Sequence, residues 1–338
     1  MIPYYEVPRD EEDPRFVKSF SLTEPQEALD FFNQLGFVVF RDCLTQEECQ
    51  NSVDAMFRLL DFDPANADTW TRWPSEGMEK YAMPTRSPVF EPEFLQNRQN
   101  PNVHRAFGIL LGRDDLLSNH DRCCLFRPTR RVPFPTSGNR DMPSWRTAHN
   151  LHLDMNPWKY ADTRNRCVEA LDALEYRPRD FIFENNQVTF RPDEVPLQGV
   201  INLLDNLDED GGFIVVPGFR NHFSEWLEAT TPVQPAAAKA YNEDENGYRF
   251  SERDPMQQLA IRIAMRQGSV VIWDQRTPHG STFNKSSGFR AAQFIRMFPA
   301  EISHQRANRR ARALRAQFRE HGFGDEMISD VGRVVFGL

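Results

Sequence analysis

The stretch GSVVIWDQRTPHGSTFNKSSGFRAAQFIRMF (residues 268–298) predicts two β-strands joined by a polar turn. An apolar run comes first, a histidine stands at position 279, and a second apolar run follows the turn residues NKSSG. Turn-forming clusters between apolar runs are typical of antiparallel strands. With the loop at 284–287, the two strands are predicted to form a hairpin. Ser281 would then lie opposite Arg290, and both would neighbour His279 on one face.

Apolar segments of similar length recur from about residue 121 onward, separated by turn clusters such as NLDEDGG (206–212). Many short strands divided by Gly, Asn and Asp turns indicate an antiparallel sandwich or barrel. The predicted strands are CCLF, NLHLD, FIFE, QVTF, GVINLL, FIVVPG, GSVVIWD and FRAAQFIRMF.

The whole chain of 338 residues is predicted to form a single domain around these strands. Residues 1–120 are predicted to be helical and irregular, residues 121–300 to form the β core, and residues 301–338 to form a basic helix and tail. Insertions near 158–196 and 219–262 interrupt the core, and the second contains MQQLAIRIAMR, which we predict to be helical. Insertions of this size in a β scaffold often cover a pocket.

The N-terminal region carries two helix patterns with a strand between them. TEPQEALDFFNQLG predicts a helix that is capped by Thr23 and ends at Gly36. The segment GFVVF follows as a short buried strand. Thr45 and Glu48 then have the spacing of a capping box ahead of a second amphipathic helix.

Composition excludes several classes of protein. Forty basic residues against 49 acidic ones give a net charge of −9, which offers no attraction to a phosphate backbone. The five cysteines are odd in number and form no C-x-x-C pair, which argues against a disulfide framework and a thiolate zinc site. No run approaches the roughly 20 apolar residues of a membrane span. We expect a cytoplasmic protein that acts on a small molecule, not on nucleic acid or a membrane.

The strand NLHLD carries the first candidate for chemistry. Alternate residues of a strand share a face, so His152 and Asp154 point the same way while Leu151 and Leu153 point oppositely. An imidazole and a carboxylate side by side supply two ligands of a divalent-metal site. On this triplet alone the alternative, a solvated polar face of a half-buried strand, stays open.

The 268–298 stretch carries the second candidate. His279 is a possible third metal ligand, and Arg290 with Ser281 beside it would form a clamp for a carboxylate. A guanidinium group offers two parallel charge-assisted hydrogen bonds, which an ammonium group cannot reproduce.

The order His152-x-Asp154, His279, Ser281 and Arg290 resembles that of the phytanoyl-CoA dioxygenase family, which belongs to the Fe(II)/2-oxoglutarate-dependent oxygenases. The segments NLLDNLDEDGGFIVVPG and DFFNQLGFVVFRDCLTQEEC also resemble family segments. The resemblance implies a double-stranded β-helix, that is, a jelly-roll or cupin-like core with flanking helices. It also implies Fe(II) held by two imidazoles and one carboxylate, leaving positions open for 2-oxoglutarate and O2.

The resemblance further implies roles and a reaction. Arg290, assisted by Ser281, would bind the distal carboxylate of 2-oxoglutarate. The enzyme would be a dioxygenase that hydroxylates a C–H bond of a small-molecule metabolite and releases succinate and CO2, with ascorbate as an activator in vitro. Because Asp154 is present, the halogenase pattern, in which Gly or Ala replaces the carboxylate, does not apply.

Three alternatives stay open at this point. The same iron chemistry supports desaturation or oxidative cyclisation, a cupin-like metal enzyme would use no 2-oxoglutarate, and an inactive relative would only bind metal or ligand. Trp158 and Arg296 are candidates for substrate contact. Trp158 could equally pack beneath the insertion that begins there.

Overall fold

The computed structural model describes residues 2–154, 175–176, 188–189, 197–230, 248–300 and 304–338. The α-helices in these ranges are α1 (Pro25–Leu35), α2 (Gln46–Leu60), α3 (Pro92–Arg98), α4 (Pro101–Leu111), α5 (Phe223–Thr230), α6 (His304–Glu320) and α7 (Asp330–Phe336). Short 3-10 turns lie at Thr69–Thr71, Glu79–Tyr81, Pro143–Trp145, Asp208–Asp210, Phe219–His222, Pro255–Gln258 and Asp325–Met327.

Ten of the sixteen described strands lie in two five-stranded sheets, and the other six form three two-stranded sheets. The strands are β1 (Phe37–Phe40), β2 (Leu116–Ser118), β3 (Cys123–Phe126), β4 (Val132–Phe134), β5 (Gly138–Arg140), β6 (Asn150–Leu153), β7 (Glu175–Tyr176), β8 (Val188–Thr189), β9 (Leu197–Asn202), β10 (Gly212–Val215), β11 (Tyr248–Arg249), β12 (Ile261–Arg262), β13 (Val270–Asp274), β14 (His279–Thr282), β15 (Arg290–Ile295) and β16 (Met297–Pro299).

Two five-stranded antiparallel sheets form a sandwich. The first sheet has the order β1-β13-β9-β15-β3, and the second has the order β11-β6-β14-β10-β12. The chain crosses from one sheet to the other at several points, for example from β9 to β10 and from β13 to β14, as in a jelly roll. The predicted mainly β fold with flanking helices is therefore confirmed.

The alternation of side chains along β6 divides the second sheet into two faces. Leu151 and Leu153 are fully buried in an apolar cluster with Phe223 and Leu227 of α5. His152 and Asp154 point to the other face, toward a cavity whose wall includes Phe294 of the first sheet. The predicted division of NLHLD into apolar and polar faces is confirmed.

The N-terminal strand β1 extends the first sheet by pairing with β13, and helices α1, α2 and α4 pack against this sheet. Helix α1 ends at Leu35, and Gly36 follows with φ +78°, a left-handed conformation that glycine adopts without strain. The predicted cap at Thr23 is wrong, because Glu24 occupies the N-cap position and makes no side-chain capping bond. The capping box of Thr45 and Glu48 is confirmed at the start of α2.

Two predictions near the site are wrong. Strand β14 pairs with β6 and β10, whereas β15 pairs with β3 and β9, so the predicted hairpin between them does not form. The polar turn carries the chain from one sheet to the other instead. The segment predicted to be helical near residue 260 forms a 3-10 turn and strand β12, because Ile261 and Arg262 pair with the edge of β10.

The remaining predictions concern the insertions and the tail. Of the first insertion, the structure describes only β7 and β8, and FIFE lies outside the described residues. The second insertion contains α5 and β11, and α6 is the predicted basic helix. No helix among the described residues is long and apolar enough to cross a membrane.

Candidate active site

Strands β6 and β14 bring three possible metal ligands together. His152 lies directly opposite His279 in the register of the two strands, and their ring centroids are 4.6 Å apart. Asp154 follows at the end of β6. One carboxylate oxygen, Oδ1, lies 3.4 Å from His152 Nε2, and the other, Oδ2, lies 3.7 Å from His279 Nε2. Ligand atoms of the three side chains all lie within 4.8 Å of one another.

Hydrogen bonding fixes which nitrogen of His279 is available. Its Nδ1 lies 3.0 Å from the carbonyl oxygen of Thr277 and donates to it, so Nε2 keeps its lone pair for a metal. Burial lowers the pKa of His279 despite the opposing effect of Asp154. The ring is therefore neutral at neutral pH, the form that binds a metal.

Asp154 is held by donors from the first sheet. Gln198 donates to Oδ2 over 3.0 Å and Arg296 donates to the same oxygen over 2.7 Å. The side chains of Asp154 and Arg296 are each 9% exposed, so this contact is largely removed from water. Both of these donors bind Oδ2, whereas Oδ1 is the oxygen that lies near His152 Nε2.

This donor set fits a divalent transition metal. Two imidazole nitrogens and one carboxylate oxygen on one side of a cavity form the facial arrangement used by non-haem iron proteins, which leaves the remaining positions open. Among the described residues, His152, Asp154 and His279 form the group of His, Cys, Asp and Glu side chains that lie close enough together to hold a metal ion.

Arg290 forms the wall of the same cavity from β15. It is only 3% exposed, its guanidinium lies 4.8 Å from the ring centroid of Phe126, and its Nη1 contacts the thiol of Cys124. Within the described part of the chain, Arg290 has no carboxylate partner and its Nε has no hydrogen-bond acceptor. A buried cation in this state favours an anionic ligand, since burial of an uncompensated charge is costly.

Gly212 makes room for that guanidinium. It has φ +99°, and a Cβ atom there would lie 2.7 Å from Arg290 Nε. Ser281, on β14, lines the cavity and donates from its hydroxyl to Asn150 Oδ1 over 3.1 Å. Although the predicted hairpin is wrong, Ser281 and Arg290 reach one cavity because they face each other across the sandwich.

The cavity has a volume of about 550 Å³, and its lining includes every described residue that the sequence predicted for the active site. They are His152, Asp154, His279, Ser281, Arg290 and Arg296. Trp158 lies outside the described residues. The guanidinium of Arg296 donates a hydrogen bond to Asp154. A role of Arg296 in substrate binding stays a prediction.

Sequence reasoning missed several residues of the site. Gln198 supports Asp154 from a strand 44 residues away, and Tyr81 and Arg249 form a hydrogen-bonded pair at the cavity wall. Arg262 donates to Asn206 near Arg290, and desolvation followed by the charge of Arg290 lowers the pKa of Arg262 to about 9. Gln198, Tyr81 and Arg249 are far apart in the sequence, so only the fold brings them to one cavity.

Comparisons with known proteins agree with this geometry. The family described as phytanoyl-CoA dioxygenase (PhyH) matches residues 179–292. A Dictyostelium discoideum protein named "Putative phytanoyl-CoA dioxygenase" is 40% identical over 279 residues, which are 80% of this chain and 74% of that protein. "Ava biosynthesis cluster protein O" of Aspergillus versicolor is 24% identical over 294 residues, which are 82% of this chain and 79% of that protein.

The fold also resembles that of a solved structure. The crystal structure of GlcNAc Inducible Gene 2 from Candida albicans has a TM-score of 0.60 and 15% identity, and the match covers 94% of this chain and 78% of that chain. At this identity the likeness shows the fold alone.

A jelly roll with this donor set and a buried arginine across the cavity is typical of the Fe(II)/2-oxoglutarate-dependent oxygenases. Within that class, the chain belongs to the phytanoyl-CoA dioxygenase family.

Proposed function

We propose that the protein is an Fe(II)- and 2-oxoglutarate-dependent dioxygenase that hydroxylates a C–H bond of a small-molecule metabolite. One oxygen atom of O2 would enter the product and the other would enter succinate, with loss of CO2 from 2-oxoglutarate. One observation carries the proposal. A single cavity contains the cluster of His152, Asp154 and His279 and, across from it, a buried Arg290 without a described carboxylate partner.

The side chains divide the work between metal and cosubstrate. His152 and His279 would hold iron through Nε2, and Asp154 through a carboxylate oxygen, while Gln198 and Arg296 keep the carboxylate in place. Bound iron would supply the activation of O2 that an amino-acid side chain cannot provide. Arg290 would bind the distal carboxylate of 2-oxoglutarate, with Ser281 close by.

The size of the cavity supports a small-molecule substrate. A volume of about 550 Å³ is within the range of small-molecule sites and must also hold the cosubstrate. The relative from Aspergillus versicolor is named for a biosynthesis cluster, which supports a metabolite as the substrate. We expect no binding to nucleic acid or to a membrane.

Succinate formation tests the proposal. Purified protein with Fe(II), ascorbate, 2-oxoglutarate and a broad panel of metabolites should form succinate, and His279→Ala should form none. Absence of succinate with every metabolite, together with no binding of 2-oxoglutarate by calorimetry, would contradict the proposal. An inactive binding protein would bind 2-oxoglutarate without forming succinate.

The mass of the product separates the possible outcomes of the chemistry. Hydroxylation adds one oxygen atom to the substrate, and with 18O2 that atom carries the label. Desaturation and oxidative cyclisation each remove two hydrogen atoms and add no oxygen. A product two mass units lighter would therefore replace hydroxylation by one of these alternatives.

A further inference from the structure

The cavity wall on the far side of His152 from Arg290 contains an arginine that the proposed chemistry does not use. Arg249 lies on β11 and pairs with His152 in the register of β11 and β6. Directly paired residues of neighbouring strands have side chains on the same face, so Arg249 points into the cavity beside a possible metal ligand.

The order of the strands separates Arg249 from the proposed cosubstrate site. In the second sheet β11 is followed by β6, β14 and β10, and Arg290 packs against Gly212 of β10. Neighbouring strands are about 4.8 Å apart, so roughly three strand spacings separate β11 from β10. The metal ligands lie between them, on β6 and β14. An anion at Arg249 therefore need not compete with one at Arg290.

The described side chains that line the cavity carry a net charge opposite in sign to that of the whole protein. The described lining residues include four arginines and two aspartates, an excess of two positive charges, whereas the whole chain has a net charge of −9. Each aspartate already contacts an arginine: Asp121 contacts Arg122, and Asp154 contacts Arg296. Fe(II) and doubly charged 2-oxoglutarate would cancel each other, so together they would leave the charge balance of these described side chains unchanged.

Arg249 is held in place by a hydrogen-bonded turn. Its Nη2 donates to the phenol oxygen of Tyr81 over 2.8 Å. Tyr81 belongs to a tight turn in which Met78 and Met83 exchange backbone hydrogen bonds of 2.8 and 3.2 Å. Ala148 N also donates to the carbonyl of Lys80 in this turn. A guanidinium fixed in this way loses little conformational entropy when it binds an anion.

We infer that Arg249 and Tyr81 form a subsite for an anionic group, a carboxylate or a phosphate, of the substrate to be oxidised. This inference rests on the proposed function and specifies its substrate class. Because Arg249 lies one strand from His152, the oxidised carbon lies about 5–10 Å from the anionic group, one to two strand spacings. Met78 and Met83 provide an apolar wall for the carbon chain between them.

Binding of simple probes to the loaded protein tests the inference. The protein is loaded anaerobically with Fe(II) and saturating 2-oxoglutarate, so that Arg290 is occupied, and the charge-transfer absorption of the bound cosubstrate reports events next to the metal. Hexanoate and hexanamide have the same chain and differ in charge, and butyl phosphate represents the other anion. Wild type should bind an anionic probe about tenfold or more tightly than hexanamide, since hydrogen bonds to charged groups are the stronger ones.

Three variants assign that preference to the subsite. Arg249→Gln should remove it and Arg249→Lys should restore part of it. Arg253→Gln removes the same charge from an exposed position four residues away and should leave it unchanged. Circular dichroism checks that the variants are folded. Tighter binding of butyl phosphate than of hexanoate would identify a phosphate, and the reverse would identify a carboxylate.

Two results would overturn the inference. Equal binding of anionic and neutral probes to wild type would do so, as would unchanged binding of the anionic probes by Arg249→Gln. If the charge-transfer absorption forms normally in those experiments, the proposed function stands and only the anionic subsite fails. If wild type shows no charge-transfer absorption with 2-oxoglutarate, both fail.

Discussion

Arg296 donates from Nη2 to Asp154 Oδ2 over 2.7 Å, and this joins the end of the first sheet to the predicted metal cluster on the second. Both side chains are largely buried, so the pair is hardly screened by solvent. A buried ion pair adds little net stability, but removal of one partner is costly because the other charge stays buried.

Arg296→Met is therefore expected to lower the free energy of unfolding of the metal-free protein by about 3 kcal/mol. A divalent metal should compensate, because the ion supplies the positive charge that Asp154 has lost. The stabilisation on adding Mn(II) should thus be larger in the variant than in wild type. Urea unfolding with chelator and with Mn(II) measures both quantities. Arg296→Lys, which keeps the charge, is the control, and equal Mn(II) stabilisation in Arg296→Met and wild type would contradict this account.

Arg290→Met is expected to separate function from stability. The affinity for 2-oxoglutarate should fall about tenfold or more, because the charge-assisted hydrogen bonds to its distal carboxylate are lost. The unfolding free energy of the ligand-free protein should stay the same or rise, since a buried guanidinium without a described carboxylate partner is removed. Calorimetry and urea unfolding measure the two effects. A loss of stability without a loss of affinity would assign Arg290 to the core instead.

Local patterns in the sequence were sufficient to predict the candidate metal ligands. The period of two along NLHLD places His152 and Asp154 on one face, and the structure shows them there with Leu151 and Leu153 opposite. His279 was found because it stands next to an apolar strand, at a spacing that the family shares. The face to which a side chain points depends on its position within its own strand, and this position can be read from the sequence.

Features that depend on distant pairing were not predictable in the same way. Two strands that are adjacent in sequence most simply pair as a hairpin. Here β14 pairs with strands of the second sheet and β15 with strands of the first sheet. Apolar residues spaced as in a helix near position 260 were drawn into β12 by the open edge of β10. Tertiary pairing overrides local propensity most easily in such short segments.

Gly212→Ala tests whether the space beside Arg290 matters for the cosubstrate. The new Cβ atom would lie 2.7 Å from Arg290 Nε, so the guanidinium must move. We expect the KM for 2-oxoglutarate to rise about tenfold, comparable to the loss of one charge-assisted hydrogen bond. Gly138→Ala is the matched control, because Gly138 also has positive φ (+71°) but no atom lies within 4 Å of its added Cβ. Equal KM changes in both variants would attribute the effect to backbone strain.

His120 gives the last prediction, on stability and pH. It is fully buried, its ring stacks on Phe90 at 5.2 Å, and neither ring nitrogen has a hydrogen-bond partner among the described residues. Burial, and then the charges of Arg98 and Arg310, lower the pKa of His120 well below its ordinary value of 6.5.

The His120 side chain is therefore protonated near pH 6.5 in the unfolded chain but stays neutral at that pH in the folded protein. The stability contributed by neutral His120 is fully present above that pH and is lost as the pH falls below it, by up to about 1.4 kcal/mol per pH unit. The pKa of His279 is also lowered, so His279 contributes to the pH dependence in the same direction. His120→Phe should therefore reduce the slope of unfolding free energy against pH without abolishing it. Urea unfolding at several pH values measures the slope, with exposed His149→Phe as the control. An unchanged slope in His120→Phe would show that protonation of His120 is not coupled to unfolding.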